Sequence, residues 1–172
     1  MNKLHSLLLA AVITLPGAAR ADEFRVSSPN GKITATVTLD EGQLSYTVHK
    51  DGRLLVAPSP LGLKTTNVDL TQGLNLVSSD TAVIDDPYTL PVGKQSQYRD
   101  HCHMLSVVTE RSSLRQTVQF RLYDDGFAFR YVIPKSRSLS RVVLTEEASR
   151  IRMANFSNSL ACKFIGNIQS PN

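Results

Sequence analysis

The chain has 172 residues, of which 41% are hydrophobic and 20% are charged, and its formal net charge is +4. This length and composition fit one ordinary globular unit. The charge pattern excludes a nucleic-acid-binding protein, because such a protein concentrates its basic residues on one surface. Here the basic residues are scattered, and serines interrupt even the densest group, which is Lys135, Arg137 and Arg141.

The first 21 residues predict a secretory signal. A basic start at Lys3 precedes an apolar run over residues 7–15, and Ala19-Arg20-Ala21 has the small-x-small pattern of a cleavage site. The apolar run is too short to span a membrane. We therefore expect an exported domain of residues 22–172, periplasmic or secreted and not bound to membranes. Loss of the charges of Lys3 and Arg20 from the +4 leaves +2.

Alternating apolar and polar residues predict a meander of antiparallel strands in the first third of the mature chain. These strands are expected at residues 33–39, 44–48 and 53–56. The alternation then weakens, and short strands are expected at 61–63, 74–77 and 82–84. Residues 85–97 contain two prolines and a glycine, which predicts a long loop.

A strand is predicted at 101–110, a turn at 111–113 and a further strand at 114–123, which begins the clearest hairpin. On its second strand, Phe127, Phe129 and Tyr131 alternate with other residues and are predicted to face the core. Gly126 is predicted to supply the positive φ of a tight turn. The outward face should carry the arginines of both strands, Arg121 and Arg130.

The remaining residues predict further strands at 141–144 and 150–153, with a turn at 145–147. Residues 160–165 are a last candidate strand. Helical periodicity is missing from the mature sequence, and short strands with closely spaced turns are typical of an all-β, antiparallel sandwich.

Three ordered stretches resemble the N-terminal domain of glycoside hydrolase family 97. They are S-P-N-G-K-I at residues 28–33, Y-R-D-H at 98–101 and F-R-L-Y-D-D-G-F-A-F-R-Y at 120–131. That family contains retaining and inverting enzymes that act on α-glucosides and α-galactosides. The resemblance implies a supersandwich of the galactose-mutarotase type, which this chain would leave incomplete at its C-terminus. In the family, a (β/α)8 barrel follows.

The resemblance also implies that this chain alone is not catalytic. The family's catalytic carboxyl groups and most of its calcium ligands belong to the barrel, so no position here inherits them. Calcium is implied for the full-length enzyme and not for this chain. The expected partners are the missing barrel domain and, through the parent enzyme, an α-glucoside or α-galactoside.

Two polar residues match the family's version of the second stretch, R-N-H-Y-N-E-L, and are the candidate substrate-binding residues: Arg99 and His101. Leu105 also fits, whereas the intervening positions depart from the pattern, namely Asp100, Cys102, His103 and Met104. On a strand, His101 and His103 would share one face and could bind one metal ion. No third ligand stands at a suggestive spacing, so no metal site is predicted.

The two cysteines of the chain, Cys102 and Cys162, are a candidate disulfide, since export permits one. Such a bridge would close a loop of about 60 residues and stabilise the fold by roughly 3–4 kcal/mol in the chain-entropy model. The alternative is two separate buried thiols.

Two carboxylate pairs invite comparison with the acid pair of glycosidases. Asp124 and Asp125 are better explained as turn residues. Glu146 and Glu147 have no partner that the sequence places, and are expected to be solvated.

Three other functions stay open. A free-standing carbohydrate-binding module would stack sugars on exposed aromatic side chains, and the chain has five tyrosines but no tryptophan. A sugar epimerase of the mutarotase kind would need an acid and a base, such as His101 or His103 with Glu146. An inactive, truncated remnant is the third alternative.

Overall fold

The computed structural model describes residues 21–89, 97–134 and 141–154. Within these ranges every regular element is a β-strand, which confirms the predicted fold class. No helix in the described ranges is long and apolar enough to cross a membrane. The predicted signal, apart from its last residue, and the candidate strand at 160–165 lie outside the described residues.

The described strands form three antiparallel sheets. In chain order they are β1 (Asp22–Ser27), β2 (Ile33–Asp40), β3 (Gln43–Lys50), β4 (Arg53–Leu61), β5 (Leu63–Thr65), β6 (Asn75–Thr89), β7 (Gln97–Arg111), β8 (Leu114–Leu122), β9 (Phe127–Val132), β10 (Leu144–Glu147) and β11 (Arg152–Met153). One sheet has the order β1-β2-β3-β4-β11, a second has the order β6-β7-β8-β9, and β10 pairs with β5 in a third.

The two larger sheets pack face to face, and the core lies between them. The alternation in β2 buries Ala35 and Val37 completely, as predicted. From the opposite sheet, the Phe120 ring of β8 reaches the Tyr46 ring of β3, with the ring centroids 5.3 Å apart. Burial of each such side chain stabilises the fold by roughly 1.5–3 kcal/mol.

The hairpin of β8 and β9 has the predicted faces but a different turn. Phe120 pairs with Phe129, and Phe129 packs half-buried against the core. The prediction of a positive φ at Gly126 is wrong. Four residues connect the strands, and the Tyr123 N–H donates to the Gly126 carbonyl at 2.8 Å. This longer loop reverses the chain without a left-handed glycine.

The predicted long loop at 85–97 is wrong at residues 85–89 and at Gln97, because β6 continues to Thr89 and β7 begins at Gln97; residues 90–96 lie outside the described residues. The short strands expected at 74–77 and 82–84 fall within the single β6, except for Leu74. Most β6 side chains are exposed, so the strand lacks the one-sided burial that produces a detectable alternation. Its pairing with β7, which the sequence does not display, makes it a strand.

The predicted turn at 145–147 is also wrong, since these residues form most of β10. Their pairing with the short β5 stabilises an extended conformation that local sequence does not favour. At this ladder the Lys64 ammonium contacts the Glu146 carboxylate at 2.8 Å. Glu146 therefore has an ion-pair partner that the sequence did not place, and its side chain is exposed, as predicted.

The connection between β5 and β6 is held against the sandwich through its backbone, by the Arg111 side chain and by the β2–β3 turn. Arg111 donates to the carbonyl oxygens of Asp69 at 2.6 Å and Gln72 at 2.7 Å. Gly42 has φ +74°, and a Cβ at this position would lie 3.0 Å from backbone atoms of Gly73. The β2–β3 turn and this connection therefore approach closely through their backbones, and the Leu74 N–H donates to the Gly42 carbonyl at 3.0 Å.

Candidate functional site

The first and third family-like stretches meet at one end of the sandwich. In the turn between β1 and β2, the Ser28 hydroxyl donates to Asn30 Oδ1 at 2.8 Å, and Gly31 has φ +73°. The Asn30 N–H then donates to Asp124 Oδ1 in the β8–β9 turn, at 2.9 Å. Asp124 is thus a turn residue, as predicted, and it also joins two turns that are 94 residues apart in sequence.

The second stretch, on β7, is tied to the third, because Arg121 donates to Asp100 Oδ2 at 2.9 Å. Just after this stretch, on the opposite face of β7, the His103 imidazole donates through Nδ1 to the carbonyl of Ser27, which precedes the first stretch, at 2.8 Å. The three stretches that resemble one family are therefore joined in space by side-chain hydrogen bonds.

From this end, the outer parts of β6 and β7 project as a two-stranded ribbon, Ile84–Thr89 with Gln97–Cys102. The pairing of β7 with β8 begins only at His103, so within the described residues these two segments pair only with each other. Six residues of extended chain reach about 20 Å. The ribbon therefore carries its side chains well beyond the packed core.

Arg99 and His101 lie on one face of the ribbon. The Arg99 guanidinium forms a two-pronged ion pair with Asp85, with Nη2 and Oδ2 2.6 Å apart, and Asp85 is the cross-strand partner of His101. Hydrogen bonding from Arg99 lowers the pKa of the Asp85 carboxyl and raises that of the guanidinium. The structure thus brings both candidate residues to one accessible face. Their role in substrate binding stays a prediction.

The opposite face, called the tyrosine face below, carries Tyr88 and Tyr98 with Asp86 and Asp100. The two tyrosines are cross-strand partners with nearly parallel rings, 5.5 Å between centroids and 18° between planes. Asp86 and Asp100 are the partners two positions nearer the sandwich. Sequence reasoning missed this face. The hydrophobic pattern could not reveal it, because the register that pairs these residues is a property of the folded ribbon.

Cys102 lies on the tyrosine face at the base of the ribbon and is fully buried. Burial raises the pKa of its thiol, and burial also raises the pKa of the neighbouring Tyr123 hydroxyl. Cys162 lies outside the described residues, so the predicted disulfide stays a prediction.

Metal-binding groups do not gather in the part of the chain that the structure describes. No three His, Cys, Asp or Glu side chains there are placed to hold one ion. The His103 Nδ1–H donates to the Ser27 carbonyl, so its Nε2 is the nitrogen that could bind a metal ion.

The acid and base proposed for an epimerase are not brought together. His101 and His103 lie on β7, whereas Glu146 lies on β10 in a different sheet and is paired with Lys64. A shallow cleft of about 270 Å³ lies elsewhere, lined in part by Thr65, Asn67 and Ser112. It is smaller than most small-molecule sites, which occupy about 300–1,000 Å³.

Two curated relatives are similar to most of this chain. The probable retaining α-galactosidase of Streptomyces bingchenggensis (strain BCW-1) is 35% identical over 142 residues, which cover 76% of this chain and 22% of that protein. The retaining α-galactosidase of Bacteroides thetaiotaomicron is 30% identical over 133 residues, which cover 77% of this chain and 19% of that protein. The chain thus spans about a fifth of the length of the relatives it matches.

A solved structure is similar to about the same share of this chain. A crystal structure of a β-arabinopyranosidase is similar with a TM-score of 0.70 and 28% identity, over 76% of this chain and 21% of that chain. The family described as glycosyl-hydrolase 97 N-terminal matches residues 26–166. This match includes β2 to β11 and all three stretches that the structure joins at one end of the sandwich. The chain therefore belongs to the glycosyl-hydrolase 97 N-terminal family.

Proposed function

We propose that this chain is the non-catalytic N-terminal sandwich of an exported α-glycosidase, which hydrolyses α-galactosides or α-glucosides. The family match over residues 26–166, confined to about a fifth of the relatives' length, carries the proposal. Both curated relatives are described as retaining α-galactosidases, which favours an α-galactoside as the parent's substrate.

The carboxyl groups of the described residues support a non-catalytic role. A glycosidase holds two carboxyl groups across the scissile bond at a defined separation. Here Asp124 joins two turns, and Glu146 is paired with Lys64. A (β/α)8 barrel takes about 250 residues, and strands alone make up the regular structure described here.

In the parent enzyme, the domain would pack against the barrel and help to shape the sugar-binding cleft. The ribbon supports this role, because it places His101 two positions and Arg99 four positions beyond the last residue of β7 that pairs with β8, where they could meet a second domain. Calcium, as a Lewis acid in the parent, would be held mainly by residues outside this chain. The leader sequence of residues 1–21 favours a periplasmic or secreted parent.

The test is hydrolysis of aryl α-galactosides and aryl α-glucosides by the purified full chain, with and without added calcium. We expect no turnover above buffer under either condition. The retaining α-galactosidase of Bacteroides thetaiotaomicron is the positive control. Turnover that survives repurification and disappears in a Glu146→Gln or Glu147→Gln variant would contradict the proposal.

A further inference from the structure

We propose that the tyrosine face of the ribbon contacts carbohydrate, with Tyr88 and Tyr98 as an aromatic platform and Asp86, Asp100 and Arg121 as hydrogen-bonding groups. The inference rests on the proposed function for its ligand class, an α-linked galactoside or glucoside. It adds a binding surface that lies on the opposite side of the ribbon from Arg99 and His101.

The aromatic pair is the first observation. Tyr88 is 46% exposed, and its ring lies within 5.5 Å of the Tyr98 ring at an angle of only 18°. A tyrosine combines a flat apolar ring with a polar tip. A pyranose ring likewise has an apolar C–H face and a rim of hydroxyl groups, so the two surfaces are complementary. Within the described residues nothing in the sandwich covers this end of the ribbon.

The charges beside the rings are the second observation. Asp86 and Asp100 are direct cross-strand partners, an arrangement of like charges that destabilises a ribbon. Arg121 neutralises Asp100 at 2.9 Å, whereas Asp86 has no ion pair among the described residues. Ionised carboxylates accept hydrogen bonds, and sugar hydroxyls donate them. Asp86 and Asp100 could therefore accept hydrogen bonds from the hydroxyl groups of a bound sugar.

The geometry of Asp100 adds a third observation. Its Oδ1 is buried and has no hydrogen-bond partner in the described structure, although the side chain as a whole is 26% exposed. A buried acceptor without a partner is costly, and a ligand donor that approaches through the exposed part of the side chain would remove that cost. Two residues along a strand span about 7 Å, so a sugar seated on the rings would reach this carboxylate.

The opposite face of the ribbon is less suited to a neutral sugar. There the Arg99 guanidinium and the Asp85 carboxylate satisfy each other through two hydrogen bonds. That face is already neutralised, and it carries no aromatic pair. If the tyrosine face binds sugar, substitutions on that face should weaken binding, whereas substitutions on the Arg99 face should not.

The experiment is a titration of the purified full chain with raffinose and maltotriose, followed by NMR. Tyr88→Ala and Tyr98→Ala should each weaken binding about tenfold, because each removes one ring of the stacked pair, either the ring that contacts the sugar or the ring that supports it. Tyr88→Phe keeps the ring and should bind within about threefold of the unaltered chain. Val83→Ala is the matched control, since Val83 is 67% exposed on β6 but lies on the other face.

Three results would overturn the inference. They are no binding of either sugar, equal affinities for the unaltered chain and Tyr88→Ala, and a loss of binding confined to Arg99→Ala. Association of this face with the catalytic part of the Bacteroides relative, lost in Tyr88→Ala and without sugar binding, would assign it to a protein partner instead. Urea midpoints of the variants check that each one folds. Hydrolysis is measured separately, so failure of this inference and failure of the proposed function remain distinguishable.

Discussion

Truncation of Phe129 tests the face assignment of the β8–β9 hairpin. The Phe129 ring contacts Phe120 at 5.4 Å and Tyr46 at 5.5 Å between centroids, and meets Tyr131 edge-on at 6.1 Å. These contacts join both sheets of the sandwich. Arg130, the next residue, points to the other face, is exposed and donates through Nε to Gln119 at 2.8 Å.

The expected cost follows from partial burial. Truncation of a fully buried phenylalanine to alanine costs about 3–5 kcal/mol. Phe129 is only partly buried, so we expect Phe129→Ala to lower the free energy of unfolding by about 3 kcal/mol, at the low end of that range. Arg130→Ala removes an exposed hydrogen bond and should change it by no more than about 0.5 kcal/mol.

Urea unfolding of the two variants, followed by circular dichroism, measures the difference. With a typical slope of about 1–3 kcal/mol per molar urea, Phe129→Ala should lower the midpoint by roughly 1–3 M. Phe120→Ala gives the upper limit, since Phe120 is completely buried. Coincident midpoints for Phe129→Ala and Arg130→Ala would refute the packing argument.

Two further predictions concern the β2–β3 turn and the ribbon. Gly42→Ala should destabilise the fold by more than Gly52→Ala in the same urea assay: both glycines have φ near +75°, but only at Gly42 would the new Cβ press on backbone, at 3.0 Å. Equal losses of unfolding free energy for the two variants would show that the backbone around Gly42 moves apart without cost. Arg99→Met should raise the pKa of the Asp85 carboxyl toward its ordinary value, as followed by NMR on acidification. Because Arg99 lowers the pKa of Asp85, the ion pair stabilises the fold at a pH above the ordinary carboxyl pKa, and this stabilisation is lost as the pH falls through the lowered pKa. An Asp85 titration that is the same with and without Arg99 would argue against the ion pair.

The sequence predicts the strands that bury one face. In β2, β3 and β8 every second side chain enters the core, so the alternation along the chain records the fold directly. Residues 33–39, 44–48 and 114–123 were accordingly predicted close to their observed bounds. These strands could be predicted because one of their faces is buried, and not because they form strands.

The strands that pairing alone determines could not be predicted. β6 is exposed along most of its length, and β10 depends on β5, about 80 residues earlier in the chain. Gly126 shows the same limit, because the length of its loop was set by the register of Leu122 with Phe127. In each case the deciding contact lies outside any local window of sequence.

In the candidate site, some residues could be predicted from the sequence and others could not. Arg99 and His101 were found only through a family resemblance, and the structure places them together on the ribbon. Tyr88 and Tyr98 escaped notice because nothing in the sequence pairs them before the register is known. The contact of Asn30 with Asp124 was equally invisible, although both residues belong to stretches that the resemblance had marked.

The ribbon also constrains how this protein can vary in length. Since its outer six pairs are bonded only to each other among the described residues, insertions there leave the sandwich ladder intact. Adding two residues to each strand would move Tyr88 and Tyr98 outward and keep them on the same face. Adding a single residue to each would turn every outer side chain to the other face, exchanging the tyrosines for the side of Arg99. Length changes in even steps per strand should therefore be tolerated where odd steps are not, and related chains could extend their reach without redesigning the core.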